Sequence, residues 1–320
     1  MRVAVLDDYQ RAAARFADWD ALRRDHGVSR IDHLHHHLPD DDAVAAALAP
    51  YEVVVAMRER TPFTAARLAR LPRLRLLVTT GMANAAIDLA AAARQGVTVC
   101  GTRGGRSATP ELTWALILAL LRHLPAEAAA MRAGGWQHTV GGDLDGRTLG
   151  VVGLGRLGTR VAAVGAAFGM RVLAWSSRLD PGRARGLGVE PVGKRELFER
   201  SDVVTVHYKL GERSRGLIGA EELSWMRPTA YLVNTSRGPL VDTTALLAAL
   251  HGNRLAGAAL DVYDTEPLPA DHPLRTAPRT LLTPHIGYVT EESYRIFYGD
   301  AAEDIAAFAS GAPVRVLTAG

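Results

Sequence analysis

Residues 148–158 read Thr148-Leu149-Gly150-Val151-Val152-Gly153-Leu154-Gly155-Arg156-Leu157-Gly158, and they decide how the rest of the chain is read. A short apolar run meets three glycines spaced Gly-x-Gly-x-x-Gly, and an Ala/Val-rich stretch of helical character follows. Each glycine has its own job where a strand turns into a helix. Gly153 permits a tight turn, Gly155 lets the backbone come close to a pyrophosphate, and Gly158 lets helix and strand pack closely. Arg156 and Leu157 occupy the intervening positions and belong to the same expected phosphate-binding turn. The helix start adds unpaired N–H groups and a positive dipole end. A glycine-rich structural turn needs no such company. Here strand, glycines, helix and a further strand follow in order, which predicts a dinucleotide site.

That further strand, 171–175, ends in Trp175-Ser176-Ser177-Arg178. A site preferring NAD commonly carries an acid about 20 residues beyond the glycines, bonded to the ribose 2′-hydroxyl. No carboxylate appears here until Asp180. Hydroxyls and a guanidinium suit a 2′-phosphate, which arginine binds through a charge-assisted fork. The expected cofactor is NAD(P), with NADP(H) preferred through Ser176, Ser177 and Arg178. In the plainer reading Arg178 is a solvated loop residue and both cofactors serve.

Working outward, apolar runs at 2–6, 52–57, 74–79 and 97–100 alternate with Ala/Leu-rich helical stretches such as 42–49 and 86–94. The rhythm resumes at 148–152, 171–175, 202–206, 230–234, 255–260 and 280–283. Strand and helix in regular alternation predict parallel strands with right-handed crossovers. The fold class is therefore α/β, with two Rossmann-like doubly wound parallel-sheet domains. Between the two sets, 110–124 is apolar nearly all round and predicts a buried helix, with Pro110 and Glu111 suited to its first turn. A last helix is expected over 290–310, and Gly134-Gly135 and Gly141-Gly142 mark a loop.

Bulk composition agrees. The chain has 320 residues, 48% hydrophobic and 22% charged, with a net charge of only +3. That suits two soluble globular domains and argues against disorder. Lys194 and Lys209 are the only lysines and no basic block occurs, so no nucleic-acid partner is expected. Cys100 is the only cysteine, which rules out an intramolecular disulfide and reads as a small core residue. The N-terminal run meets acids at once and reads as a strand, not a signal peptide. No apolar run approaches the ~18 residues that span a bilayer, so no membrane segment is expected and the cytoplasm is the default location.

Three further segments put polar residues just past predicted strands, where open α/β sheets bind ligands. They are Asn234-Thr235-Ser236-Arg237-Gly238, Asp261-Val262-Tyr263-Asp264-Thr265-Glu266-Pro267 and Thr283-Pro284-His285-Ile286-Gly287. With the glycine turn and in this order, they resemble the D-isomer-specific 2-hydroxyacid dehydrogenase family, which includes phosphoglycerate dehydrogenase and glyoxylate/hydroxypyruvate reductase. The resemblance covers nearly the whole chain.

It implies an oxidoreductase that interconverts a small 2-oxo acid and a D-2-hydroxy acid with NAD(P)H. Arg237 resembles the arginine that binds the substrate carboxylate and polarises the carbonyl, His285 the general acid/base, and Glu266 its paired carboxylate. The chemistry agrees, because hydride delivery to a ketone carbon leaves oxygen in need of a cation and a proton. A carboxylate beside an imidazole favours the charged form needed for reduction. Taken singly, each residue has an ordinary reading as surface charge, loop start or structural histidine.

The resemblance also assigns Thr235, Ser236 and Asp261 to the nicotinamide end, and His207, after the strand at 202–206, to the cofactor. Arg58 and the loop residues Met82, Ala83 and Asn84 fall to the substrate. Ala83, Asn84 and Ala85 depart from the family's Gly-Val-Asp, which bears on substrate identity. The implied architecture places residues 1–100 with 288–320 in a discontinuous, flavodoxin-like substrate domain. Residues 101–287 form the dinucleotide-binding domain, with the active-site cleft between the two, and homodimers form through the nucleotide domain.

Related chemistries leave marks of their own. Formate dehydrogenases share the architecture but pair the histidine with glutamine, where this chain has Glu266. Phosphite oxidation uses a similar triad, and a cofactor-sensing corepressor would need peptide-docking features not visible here. His33, His35, His36 and His37 suggest a metal cluster, yet a strand would send alternate residues to opposite faces, so no metal site is expected. Asp40-Asp41-Asp42 reads as the cap of the following helix.

Overall fold

The computed structural model describes residues 1–105 and 107–319. It divides into two compact units, Met1–Gly105 with Val289–Gly320, and Arg106–Tyr288.

The first unit holds strands β1 (Arg2–Val5), β2 (Arg30–His33), β3 (Val53–Ala56), β4 (Leu76–Thr79) and β5 (Thr98–Gly101). Its helices are α1 (Trp19–Asp25), α2 (Asp41–Leu48), α3 (Ala65–Ala69) and α4 (Leu89–Arg94). The strands lie parallel in the order β2-β1-β3-β4-β5, so the strand order reverses between β1 and β3. Every residue of β3 and β4 is buried. That is why those stretches read as unbroken apolar runs and not as alternation, since helices cover both faces of such a sheet. Asp40 caps α2 by accepting the Ala43 N–H at 2.8 Å, and Asp88 caps α4 in the same way through Ala91.

The second unit holds β6 (Thr148–Val152), β7 (Arg171–Trp175), β8 (Glu190–Pro191), β9 (Val203–Val206), β10 (Tyr231–Asn234), β11 (Gly257–Leu260) and β12 (Thr280–Leu282). Its helices are α5 (Ala108–Leu121), α6 (Leu124–Arg132), α7 (Arg156–Ala167), α8 (Pro181–Gly186), α9 (Lys194–Arg200), α10 (Ala220–Trp225) and α11 (Thr243–His251). The last helix of the chain, α12 (Glu291–Ala309), belongs to the first unit. The seven strands are parallel in the order β12-β11-β10-β9-β6-β7-β8, with the reversal between β6 and β9. This is the doubly wound arrangement, which binds ligands beyond the strand ends at that reversal. Among the described residues, no single helix is long and apolar enough to cross a membrane.

Two expectations need correction. The histidine segment is not a continuous strand: β2 stops at His33, and His35, His36 and His37 follow outside it. The imidazoles of His35 and His37 turn to the acids after β1, His35 Nδ1 lying 3.5 Å from Asp8 and His37 Nδ1 3.4 Å from Asp7. The helix expected over 86–94 begins only at Leu89, because Asn84 and Asp88 hold the preceding residues in a turn. Helix α6 and β8 carry too little apolar pattern to have been foreseen, and β2 ends where the expected histidine strand begins. Ile31 is the only buried residue of β2.

Candidate active site

The glycine turn forms where β6 runs into α7. Gly153 has φ +99°, and a Cβ there would overlap the carbonyl of His207. Only glycine meets both demands. A Cβ on Gly158 would overlap the Gly153 carbonyl, so that position sets how closely α7 approaches the turn. Gly155 differs, because a Cβ there would meet no protein atom within 4 Å. The space it leaves open lies at the N-cap of α7, where Arg156 and Leu157 begin the first turn. This cradle fits a dinucleotide pyrophosphate.

His207 follows β9, and its Nε2 lies 2.9 Å from Thr205 Oγ1. Its buried Nδ1 has no hydrogen-bond partner among the described residues. Burial lowers the imidazole to about 4, so it is neutral near pH 7. An orphaned nitrogen beside the glycine turn is a second feature that suits a bound cofactor.

At the end of β7, Ser176 is half-buried while Ser177 and Arg178 are exposed. Asp180, the first acid after that strand, is committed to capping α8 through the Gly182 N–H at 2.8 Å.

The three polar segments leave neighbouring strands β10, β11 and β12, and backbone contacts join them. After β10, Asn234 accepts the Ser236 N–H at 3.0 Å and donates to the Arg237 carbonyl at 2.9 Å, which folds the loop back on itself. Thr235 is buried and shares a 2.8 Å hydroxyl contact with Thr113 of α5. Arg237 Nη1 donates to the Ser236 carbonyl at 2.7 Å. Gly238 packs so tightly on the Tyr263–Asp264 peptide that a Cβ would overlap it, which brings the Arg237 loop against the loop after β11.

In that second loop Glu266 is held at both oxygens. Oε1 accepts the Tyr263 N–H at 3.0 Å, and Oε2 lies 2.5 Å from His285 Nδ1. His285 itself sits at φ +52°, a left-handed conformation that costs a non-glycine residue about 1–2 kcal/mol. Strain of this kind persists only where surrounding structure enforces it. Here Asp261 enforces it. Its carboxylate, fully buried, accepts Thr283 Oγ1 at 2.6 Å and the N–H groups of Ile286 and Gly287 at 2.8 Å each. Burial pushes the Asp261 carboxyl above its usual range, against the pull of Thr283 and the two amides.

Within the first unit, Arg58 follows β3 at φ +53°. Its N–H donates to Thr80 Oγ1 at 2.9 Å and its Nη1 to the Thr80 carbonyl at 3.2 Å. Asn84 is nearly buried and donates to the Arg58 carbonyl at 2.7 Å and to Thr79 at 2.8 Å. Arg58 and Asn84 are thus in contact, whereas Met82 and Ala83 are exposed in the same loop. Among the described residues, no group of three or more His, Cys, Asp or Glu is placed to hold a metal ion.

Sequence reasoning passed over three supports. Asn234 shapes the arginine loop, Asp261 holds the histidine loop, and the Tyr263 hydroxyl reaches the carbonyls of Leu260 and Thr283 at 3.1 and 2.9 Å. A buried polar residue at the end of an apolar strand was the available signal for the first two. Tyr263 gave none, because a tyrosine there is equally at home as core.

A doubly wound sheet that ends in this glycine cradle marks the dinucleotide-binding class of proteins. Residues 114–287 match the family described as D-isomer specific 2-hydroxyacid dehydrogenase, NAD binding domain. The chain is 40% identical over 254 residues to a glyoxylate reductase of Aeropyrum pernix, covering 76% of each protein. It is 35% identical over 261 residues to D-3-phosphoglycerate dehydrogenase of Bacillus subtilis, covering 81% of this chain but spanning only 50% of that longer protein. A solved phosphoglycerate oxidoreductase from Vibrio cholerae O395 superposes with a TM-score of 0.92 at 38% identity, over 98% of this chain and all of the other. The chain belongs to the D-isomer-specific 2-hydroxyacid dehydrogenase family. It is accordingly a dehydrogenase that uses a nicotinamide cofactor.

Proposed function

We propose that this protein reduces a small 2-oxo acid to the D-2-hydroxy acid, and runs the reverse, with Arg237, Glu266 and His285 as its catalytic residues. The observation that carries this is the 2.5 Å contact of His285 Nδ1 with Glu266, on the strand ends that also present Arg237. The Gly153–Gly158 turn would hold the cofactor's pyrophosphate, and the nicotinamide would supply or take up the hydride. Arg237 binds the substrate carboxylate and polarises the 2-oxo group. With Nδ1 engaged by Glu266, the Nε2 of His285 delivers the proton to the carbonyl oxygen in reduction and takes it from the hydroxyl in oxidation. The Glu266 carboxylate fixes the orientation of the ring. Asp261 keeps His285 in its strained backbone conformation and, with Thr235 and Ser236, stands at the nicotinamide end. Arg58, Met82, Ala83 and Asn84 are assigned to the substrate, the last through the loop it braces.

The family relatives act on glyoxylate or 3-phosphoglycerate by name, and a glyoxylate-like 2-oxo acid is the first substrate to try. NADP(H) is the preferred cofactor in this reading, since Ser176, Ser177 and Arg178 follow β7 and the nearest acid, Asp180, is spent on a helix cap. The chain is assigned to the cytoplasm and to a homodimer. Leu124, Met131, Trp136 and Val140 support the dimer, as they expose large apolar side chains in α6 and the loop after it.

A panel of 2-oxo acids assayed with NADH and NADPH, with chiral analysis of the product, tests the proposal. Turnover of at least one acid to the D-hydroxy product, lost in His285→Ala, is the expected result. Tight cofactor binding with no turnover of any acid would overturn it.

A further inference from the structure

At the end of β7 and just past β9, the strands that flank β6 in the sheet, two aromatic side chains meet. Trp175 and Tyr208 stack with ring centroids 6.1 Å apart and planes 14° from parallel. Lys194 Nζ lies 5.6 Å from the Trp175 ring centroid, and its 2.6 Å ion pair with Glu222 anchors it there. The stack therefore holds the Tyr208 ring from the side of the sheet. Its hydroxyl reaches the turn after β7, 2.6 Å from Ser177 Oγ, and the Ser177 N–H points to the same phenol oxygen at 3.4 Å.

The direction of these hydrogen bonds matters. A phenol oxygen that accepts the Ser177 N–H has its own proton available for Ser177 Oγ. The serine proton is then directed outward, toward whatever lies over the exposed turn. A phosphate group presents acceptor oxygens and negative charge. A relay from phenol to serine to phosphate meets an acceptor at each link, and its charged end strengthens the whole chain. A ribose 2′-hydroxyl can donate or accept and gains little from having the serine turned one way.

We propose that Tyr208 is a positioning residue for cofactor choice, which orients the Ser177 hydroxyl as a donor to the 2′-phosphate of NADP(H). The proposal rests on the NADP(H) reading of Ser176, Ser177 and Arg178 given above. It makes the distinction between cofactors depend on a residue after β9, not only on the turn after β7.

Tyr208→Phe keeps the ring and its stacking on Trp175 while removing the relay. Two measurements on the full chain test it: the Kd values of adenosine 2′,5′-bisphosphate and of 5′-AMP by calorimetry, and the ratio of kcat/KM for NADPH to that for NADH. In the unsubstituted protein the bisphosphate binds more tightly than 5′-AMP. In Tyr208→Phe that advantage shrinks about tenfold, the scale of one hydrogen bond to a charged group. The NADPH-to-NADH ratio falls by a similar factor through KM, not kcat. Ser177→Ala gives the same loss, and the double variant loses no more, because both remove one chain of bonds.

Equal weakening of both adenine ligands, or an unchanged ratio, in a protein that does prefer NADPH overturns the role of Tyr208 alone. An unsubstituted protein with no preference for the bisphosphate overturns the NADP(H) reading and this proposal with it.

Discussion

Glu266 grips His285 from a distance of 19 residues along the chain, its Oε2 lying 2.5 Å from the imidazole Nδ1. Its other oxygen is fixed by the Tyr263 amide at 3.0 Å. A carboxylate held at both oxygens cannot swing away, so the imidazole it orients is pre-placed for proton transfer.

Removal of the parts of this pair should be separable. His285→Ala should lower kcat by about 10²–10⁴-fold, the usual worth of a positioned acid/base, while cofactor affinity stays within about threefold of its original value. Glu266→Gln keeps an acceptor for Nδ1 but removes the charge, and a fall in kcat of about 10²-fold is expected. Steady-state kinetics alongside fluorescence titration of NAD(P)H check both. A larger loss of cofactor affinity than of kcat would place the pair outside the chemistry.

Arg237 offers a planar fork that a lysine cannot copy. Arg237→Lys should cost about 10²-fold or more in kcat/KM, through both KM and kcat, since the same group binds the carboxylate and polarises the carbonyl. Kinetics with the best acid from the substrate panel decide this. A change confined to kcat would mean that Arg237 does not hold the ground-state carboxylate.

The glycines of the turn should respond in opposite ways. Gly155→Ala places its methyl in open space, so folding stability should change by no more than about 1 kcal/mol, the scale of an N-cap exchange, while NAD(P)H affinity drops sharply. Gly158→Ala drives a methyl into the Gly153 carbonyl and should lower the thermal unfolding temperature even without cofactor. Calorimetric melting and cofactor titration of both variants separate a ligand-facing position from a packing position.

Asp304 on α12 predicts a pH dependence of stability. It is fully buried, accepts Arg315 Nε at 3.1 Å, and its Oδ2 has no hydrogen-bond partner among the described residues. Burial raises its carboxyl from the ordinary 3.8 to about 7; Asp300 and Glu303 add to the rise and Arg315 opposes it. The folded chain thus keeps a proton that the unfolded chain has already released. The stability this site contributes is full below about pH 4 and is lost as pH climbs to about 7, with a slope of about 1.4 kcal/mol for each step of one in pH. The melting temperature of Asp304→Asn, minus that of the unsubstituted chain, should therefore rise between pH 4 and 7 and level off above. A difference that does not vary with pH would show that Asp304 does not titrate in this window.

Legibility followed the kind of physics each element depends on. β3 and β4 were plain because parallel strands buried on both faces must be apolar throughout, and the sequence there is little else. β2 was nearly invisible, since an edge strand of Arg30, Ile31, Asp32 and His33 buries a single residue. Helix α6 buries none at all, so no apolar face announced it. In the candidate site, the types and order of Arg237, Glu266 and His285 could be read from the chain. Asn234 and Asp261 stood out only as polar residues ending apolar strands; that Asp261 holds amides 25 and 26 residues away could not be read, because such a bond leaves no mark on local pattern.

The sequence by itself determined the fold class, because alternating apolar runs and the Gly153-x-Gly155-x-x-Gly158 spacing are local requirements of a strand, a turn and a helix, while the ordered segments around Arg237, Glu266 and His285 carried the resemblance to the family. The resemblance already implied that Glu266 pairs with His285; tertiary structure alone decided that buried Asp261 ties down the histidine loop and that Tyr208 reaches Ser177. Those contacts join residues from different strand ends. Only the parallel order of the sheet, set by long-range packing and not by neighbouring residues, carries them to the same place.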